Sequence, residues 1–373
     1  MQFARIMQRN QSLDAYRGSA MLLMMAEVLH LPQIAKAIPE SLVWAWLAAQ
    51  QSHVAWVGCS LHDLIQPSFS FLVGAALPYS LAARQAAGQS ERNQFAHALW
   101  RSLLLVMLGI FLRSTNRPMT NFTFDDTLTQ IGLGYPFLFL LGRRPPKWAW
   151  ISVAVILIGC WLAWMLYPLL LTGSVADAWV KHKNLGAAFD LWWMNLFPRP
   201  APFTVHGGGY TTLNFVPTLA TMILGLVAGR WLLSEVDLRR FVVAGAVGVA
   251  AGLFLQASGL CPIVKRIWTP AWVLFSGGLC VWILAGFHWL IEVKGWRRWA
   301  FPLVVVGMNS IAAYFLAHLS PAFLGSSLTT HLGTGFLTAG GTELEPLLKG
   351  SLILLIEWLI LLWMHQRKIF LRV

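Results

Sequence analysis

The stretch HVAWVGCSLHDLIQPSFSFLVG, residues 53–74, joins a polar turn to an apolar helix, and the rest of the chain is organised around that junction. His53 and Trp56 come first, then Gly58 and the adjacent pair His62 and Asp63. An apolar run follows, interrupted by Pro67 and continuing through Phe69, Phe71, Leu72 and Val73. Such a run fits a membrane-spanning helix, and ionisable groups at its mouth are costly, which makes them candidates for function. On the residues alone, an interfacial His53 and an Asp63 that caps the helix is the simpler reading, and it stands ahead of a catalytic one.

Outward from this junction the composition is that of a membrane protein. Of 373 residues, 57% are hydrophobic and 11% charged, and 20 are Trp; soluble domains are roughly 25% charged. Runs of about 20 apolar residues recur along the whole length. The expectation is one transmembrane domain over residues 1–373, not a soluble domain with an anchor. The net charge of +12 raises nucleic acid as a partner, but the basic residues sit in short clusters between apolar runs. The positive-inside effect explains that placement, and no nucleic acid is expected. The opening MQFARIMQRNQSLDAYRG lacks the apolar core and cleavage site of a signal peptide. Cys59, Cys160, Cys261 and Cys280 are irregularly spaced and form no metal or disulfide framework. Cys160 and Cys280 read as packing residues, and a Cys59–Cys261 pairing is left open.

The fold class expected is all-α: a polytopic membrane helical bundle of about ten to eleven spans. Spans are read at roughly 16–32, 62–83, 98–111, 127–142, 148–171, 211–233, 241–257, 268–291, 300–319 and 348–364. Basic residues (Arg5 and Arg9; Arg84 and Arg92; Arg143, Arg144 and Lys147; Arg239 and Arg240; Lys294, Arg297 and Arg298; Arg367, Lys368 and Arg372) all fall on one side. That side is read as the cytoplasm, with both termini on it. His53 and the loops 112–126, 172–210 and 320–347 then lie on the extracytoplasmic face.

Several constellations carry chemistry. Imidazole can act as base or nucleophile near neutral pH, and Asp63, ten residues from His53 across a turn, is within range to orient it. His62 reads as a simple interfacial His. Capping is the first reading for Asp125, whereas Asp126 divides evenly between a cap and a substrate contact. Gln130, one turn deeper, needs a cavity to face. Asn214, Thr218, Thr221 and Gly225 have the spacing of a tightly packed helix face, and Asn309 with Ser310 fits an interhelical hydrogen bond. Lys265 and Arg266 are a basic pair on the external side, against the positive-inside trend. Glu357 lies in the last span, facing either a buried cation or a cavity.

SLDAYRG in the first span, H-x-x-W-x-G-x-x-x-x-D-L-x-x-P-x-F-x-F-x-x-G from His53 to Gly74, and GMNSI at 307–311 together resemble the heparan-alpha-glucosaminide N-acetyltransferase family of transmembrane acyltransferases, in a bacterial form. Further matches are Trp100-Arg101-Ser102, Gln130 with Gly132, Gly186 to Ala188 with Asp190, Lys265 with Trp268, and the ending Arg367-Lys368-Ile369-Phe370. The resemblance spans nearly the whole chain and departs in two places. Val28 stands where the family carries an Asn, with Glu27 and His30 close by, and the segment from Val28 to His53 is longer than in the animal enzyme. The resemblance implies an enzyme of the bacterial inner membrane that takes acetyl from cytosolic acetyl-CoA and delivers it to an amino sugar or related carbohydrate on the far side. It implies His53 as the catalytic residue, supported by Asp63. Arg17, Arg101, Gln130, Asn214 and Asn309 are the candidates to bind acetyl-CoA, and Trp56, Asp126, Asp190 and Lys265 the candidates for the acceptor. The bilayer is a partner, and a homodimer is left open. The alternative is a transporter of a sugar or other small solute; transporters show internal repeats and paired broken helices, and the sequence shows neither clearly.

Overall fold

The computed structural model describes residues 10–234 and 236–371. Arg5, Arg9 and Arg372, counted above toward orientation, lie outside the described residues. The described residues are helical with connecting turns, and no strand occurs among them. In chain order the helices are α1 (Gln11–Met25), α2 (Leu31–Ala37), α3 (Leu42–Gln50), α4 (Ile65–Ala86), α5 (Glu91–Ser114), α6 (Thr127–Gly142), α7 (Pro146–Thr172), α8 (Leu185–Trp193), α9 (Phe215–Leu233), α10 (Leu238–Ala257), α11 (Pro270–His288), α12 (Phe301–Met308), α13 (Ser310–Leu319), α14 (Pro321–Leu337) and α15 (Glu345–Gln366). Side-chain caps start many of them: Asn10, Ser41, Ser90, Asp126, Asn184 and Asp237 each accept a backbone N–H from the first turn that the helix itself leaves unpaired.

All ten apolar segments read from the sequence fall on helices. Among the described residues, seven helices are long and apolar enough to cross a membrane, or nine when each of two bent pairs counts as one span. The difference from ten to eleven lies in α6, which has only 16 residues, and in the two breaks. The first span bends by 40° where His30 adopts a left-handed backbone, φ 50°. The ninth bends by 73° between α12 and α13, at Asn309. Pro67 does not interrupt its span as expected. It is the third residue of α4, where its missing N–H has no helical acceptor to lose. The segment 320–347, expected as an external loop, contains the 17-residue helix α14.

Chain contacts divide the protein into two compact units. Unit 1 contains Trp56–Gly58 and Gln66–Ala285, and unit 2 contains Asn10–Ala55, Cys59–Ile65 and Gly286 onward. In unit 1, α4 and α9 cross in backbone contact. A Cβ on Gly74 would lie 1.8 Å from the Met222 carbonyl oxygen, one on Gly225 1.9 Å from that of Phe71, and one on Gly229 2.2 Å from that of Ala75. Apolar tails of lipid give no hydrophobic drive to join helices, so close van der Waals approach through small residues does that work. Most of α9 is buried, whereas α7 and α10 bury less than a quarter of their apolar length and turn the rest outward. In unit 2, α1 and α12 repeat the device: Cβ atoms on Gly18 and Gly307 would lie 1.8 and 1.9 Å from the carbonyl oxygens of Leu303 and Asp14. The same unit seats α15 on the first break, because Gly350 brings it onto the Val28 carbonyl.

Candidate active site

The polar turn that opens the quoted stretch folds around Asp63. This residue lies in a single 3-10 turn, His62–Leu64, immediately before α4. Its carboxylate is 1% exposed and meets four donors. Oδ1 accepts from His53 Nδ1 at 2.7 Å; Oδ2 accepts from the Val54 and Ser60 backbone N–H groups at 3.2 and 3.1 Å and lies 2.9 Å from Ser60 Oγ. A carboxylate surrounded by donors can only accept, so Nδ1 of His53 carries the proton and Nε2 keeps its lone pair. His53 itself is 36% exposed. The pair therefore presents an oriented imidazole whose basic nitrogen is Nε2, and a buried anion behind it to balance any positive charge the ring takes on.

A second imidazole stands beside it. The rings of His53 and His62 are 4.6 Å apart and tilted by 52°. His62 is buried and its Nε2 is 3.1 Å from Glu27 Oε1. His62 is thus not the bystander its sequence position suggested; Glu27, His62, His53 and Asp63 form one continuous chain of contacts within unit 2. Gln51 ties the start of this turn to the break in the first span, donating to the Ala26 carbonyl at 2.5 Å and accepting from Leu31 N–H at 2.9 Å.

The remaining candidates sit elsewhere, and their polar atoms are largely engaged within the protein. In unit 2, Arg17 reaches Asp14 one turn away at 3.4 Å. Asn309 holds the chain end, donating to the Ile369 carbonyl at 2.9 Å and accepting from Leu371 N–H at 3.1 Å. In unit 1, Gln130 donates to the Phe124 carbonyl at 2.9 Å and accepts from Thr218 at 3.3 Å. Asn214 joins Thr211 to the Arg266 carbonyl, both at 2.8 Å. Arg101 lies on the Tyr135 ring and donates to its hydroxyl at 3.1 Å. Trp56 donates to the Trp179 carbonyl at 2.9 Å, and Lys265 is buried in a 3-10 turn.

The cap at the start of α6 is Asp126, not Asp125. Asp126 accepts from Leu128 and Thr129 N–H and from the Thr129 hydroxyl at 2.7 Å. Burial pushes its carboxyl above the ordinary range, against the pull of the Thr129 hydrogen bonds. Asp125 instead accepts from the Thr123 hydroxyl and faces His206 Nε2 at 3.4 Å. The Gly208 and Tyr210 N–H groups donate to His206 Nδ1, which leaves its proton on Nε2, toward Asp125. Burial lowers the His206 imidazole, and Asp125 offsets part of that. Asp190 shares the same cleft and accepts the Thr212 N–H at 3.0 Å; burial raises its carboxyl to about 6. The His206–Asp125 pair went unseen in the sequence because 81 residues separate its members and neither lies in a recognisable motif.

No protein-family profile matches the chain. Among curated proteins it is similar to the heparan-alpha-glucosaminide N-acetyltransferase of Homo sapiens, 25% identical over 365 residues, which covers 82% of this chain and 52% of the relative. It is also similar to the protein of the same name from Mus musculus, 22% identical over 318 residues, covering 70% and 48%. The chain is thus distantly similar to two heparan-alpha-glucosaminide N-acetyltransferases. It spans about half the length of the curated relatives it matches. The His53–Asp63 pair lies entirely within unit 2, and the Asp125–His206 pair entirely within unit 1.

Proposed function

We propose that the protein is a multi-pass membrane acetyltransferase that uses acetyl-CoA as donor and an amino sugar as acceptor, with His53 at the reacting centre. The observation that carries this reading is the 2.7 Å contact between His53 and the buried Asp63 carboxylate, in a chain whose relatives are named for N-acetyl transfer. A sugar ammonium must lose a proton before its nitrogen can attack a thioester. His53 Nε2 is the base that takes it, and the attack then forms the C–N bond as the C–S bond breaks and coenzyme thiolate leaves. In the two-step form, Nε2 attacks the thioester first, holds the acetyl, and passes it to the amine. Asp63 serves either route: it keeps Nδ1–H in place and stabilises the cationic ring that each generates. Arg17, in the same unit as His53, is the cation assigned to the donor's phosphates, on the cytoplasmic face of a bacterial inner membrane, with the acceptor on the opposite face.

The two broken helix pairs support a second reading, transport of a sugar or other small solute, since interrupted helices at polar sites are a transporter device. Purified protein in proteoliposomes separates the two. With labelled acetyl-CoA on one side and glucosamine on the other, labelled N-acetylglucosamine supports the transferase. Movement of glucosamine across the bilayer without acetylation puts the transporter ahead.

A further inference from the structure

Glu357 lies deep in the last span. It is fully buried, and at 1.5 Å per residue it stands about 18 Å from the start of α15. Its Oε1 accepts from the Ser320 hydroxyl at 2.7 Å, while Oε2 meets no hydrogen-bond partner among the described residues. Ser320 is the single residue between α13 and α14. From the sequence, Glu357 faces either a buried cation or a cavity, and no cation answers it. The ionisable groups on the elements packed against α15 are Glu27 at the end of the first span, Lys36 on α2, Tyr314 and His318 on α13, His331 on α14 and Glu343 just ahead of α15. None of them pairs with Glu357. On α15 itself Lys349 and His365 lie on either side, each about 12 Å away along the helix axis.

A cavity does approach. Unit 2 contains one of about 490 Å³ at the end where α15 begins. On α15 its wall includes Glu345, Lys349 and Ile353, four-residue steps along one helix face, and the next step on that face is Glu357. On α14 the wall begins with Pro321 and Ala322, directly after Ser320. The inner end of the cavity is therefore one helical turn from the carboxyl on one wall and one residue from its hydroxyl partner on the other.

A carboxylate at this depth, with one oxygen unpaired and no cation beside it, is costly, and an ionisable group inside a span marks a functional position. A bound proton removes the charge. The cavity is far larger than the roughly 10–15 Å³ that one water needs, and the charged Glu345 and Lys349 in its wall favour hydration. We propose that Glu357 is a proton-binding site, filled and emptied through this cavity from the aqueous face at which α15 begins. Hydronium gives its proton to Oε2, which becomes an O–H, and water takes it back on release; no other bond changes. With the proton bound, Oε1 is the carbonyl oxygen that accepts from Ser320. Loss of the proton makes Oε1 a charged acceptor and strengthens that bond, so occupancy of the site sets how firmly the junction of α13 and α14 is held to α15. None of this rests on the acetyltransferase reading.

The test is infrared difference spectroscopy of the purified full chain in lipid, wild type against Glu357→Gln, as pH is raised and after transfer from H2O to D2O. A neutral carboxylic acid has a carbonyl-stretch band that a carboxylate lacks. The expected result is such a band at neutral pH, present in wild type, absent in Glu357→Gln, lost as pH rises and shifted in D2O. Ile353→Trp fills the inner end of the cavity from α15, and Ala322→Trp fills it from the facing wall. Both should keep the band and slow its D2O shift severalfold; agreement between the two walls separates blockage from a fault in folding. Ser320→Ala should keep the band and move it, because the carbonyl loses its donor. Absence of any Glu357-dependent band at neutral pH overturns the proton assignment. A band that never shifts in D2O, or shifts unslowed in both Trp variants, overturns the route through the cavity. A band removed at constant pH by sodium chloride but not by choline chloride makes this a metal-cation site, and overturns the proposal as well.

Discussion

Replacing Asp63 by Asn tests the orientation of His53 more sharply than removing the side chain. The carboxylate accepts from His53 Nδ1 on Oδ1 and from the Val54 and Ser60 backbone amides on Oδ2. An Asn offers one acceptor oxygen and one NH2, so it cannot serve both sides. With its oxygen toward His53, the NH2 confronts two fixed N–H donors in a site 1% exposed, and each unsatisfied buried donor costs about 1–3 kcal/mol. With its oxygen toward the amides, the NH2 faces Nδ1, which must then accept, moving the ring proton to Nε2. The second arrangement leaves fewer donors unpaired and is the one expected. It gives His53 the wrong tautomer, with no lone pair on the reacting nitrogen. The corresponding Asp→Asn change in the serine protease triad lowers kcat about 10⁴-fold for that reason, and a loss of about 10³–10⁴ is expected here, with folded stability reduced by only about 1–3 kcal/mol. The assay is acetyl transfer by detergent-purified protein, with thermal unfolding and acetyl-CoA binding measured on the same samples. An Asp63→Asn protein that turns over within tenfold of wild type would refute the reasoning, because Asp63 would then not set the state of His53.

The second imidazole gives a milder prediction: His62→Gln should lower turnover about tenfold and shift its pH profile, since His62 lies beside the His53 ring and contacts Glu27, and an unchanged profile would return His62 to the role of a bystander. Gly225→Ala should destabilise the protein by on the order of 1–3 kcal/mol or more, because its Cβ would lie 1.9 Å from a backbone oxygen, while Gly159→Ala, with open space around it, should not; equal melting temperatures would contradict the α4–α9 contact. Asp190 gives a pH dependence. Its folded value, about 6, lies above its ordinary 3.8, so between those values the unfolded chain loses the proton first and stability falls as pH rises, by about 3 kcal/mol in total, then levels off above pH 6. Asp190→Asn should flatten that slope in thermal unfolding between pH 4 and 7, and an unaltered slope would assign it to another group.

The fold was largely legible because lipid leaves few options. A backbone that must satisfy its own hydrogen bonds in hydrocarbon is helical, and the apolar runs mark where. What stayed hidden were the breaks and the helix in the long loop. His30 and Asn309 break helices without a proline at the break itself, and the Ser, Thr and Gly content of 321–337 reads as loop although it forms α14. The site was legible in its ends but not its middle. His53 and Asp63 were singled out together, but a ten-residue separation does not state a contact. Ser60 carries no motif, and the Glu27–His62 pairing depends on how the first span bends. The polar residues deep in the spans looked like channel linings by type alone; once folded, Gln130, Asn214 and Asn309 are occupied by neighbouring backbone, which no local pattern reveals.

The central claim is that His53 transfers the acetyl group. The most direct test is single-turnover transfer of labelled acetyl from acetyl-CoA to glucosamine by wild type and His53→Ala, in preparations matched for melting temperature and for acetyl-CoA binding. A positioned base contributes about 10²–10⁴-fold, so His53→Ala is expected to lose at least that much while binding acetyl-CoA as before; transfer at the wild-type rate by His53→Ala would contradict the account.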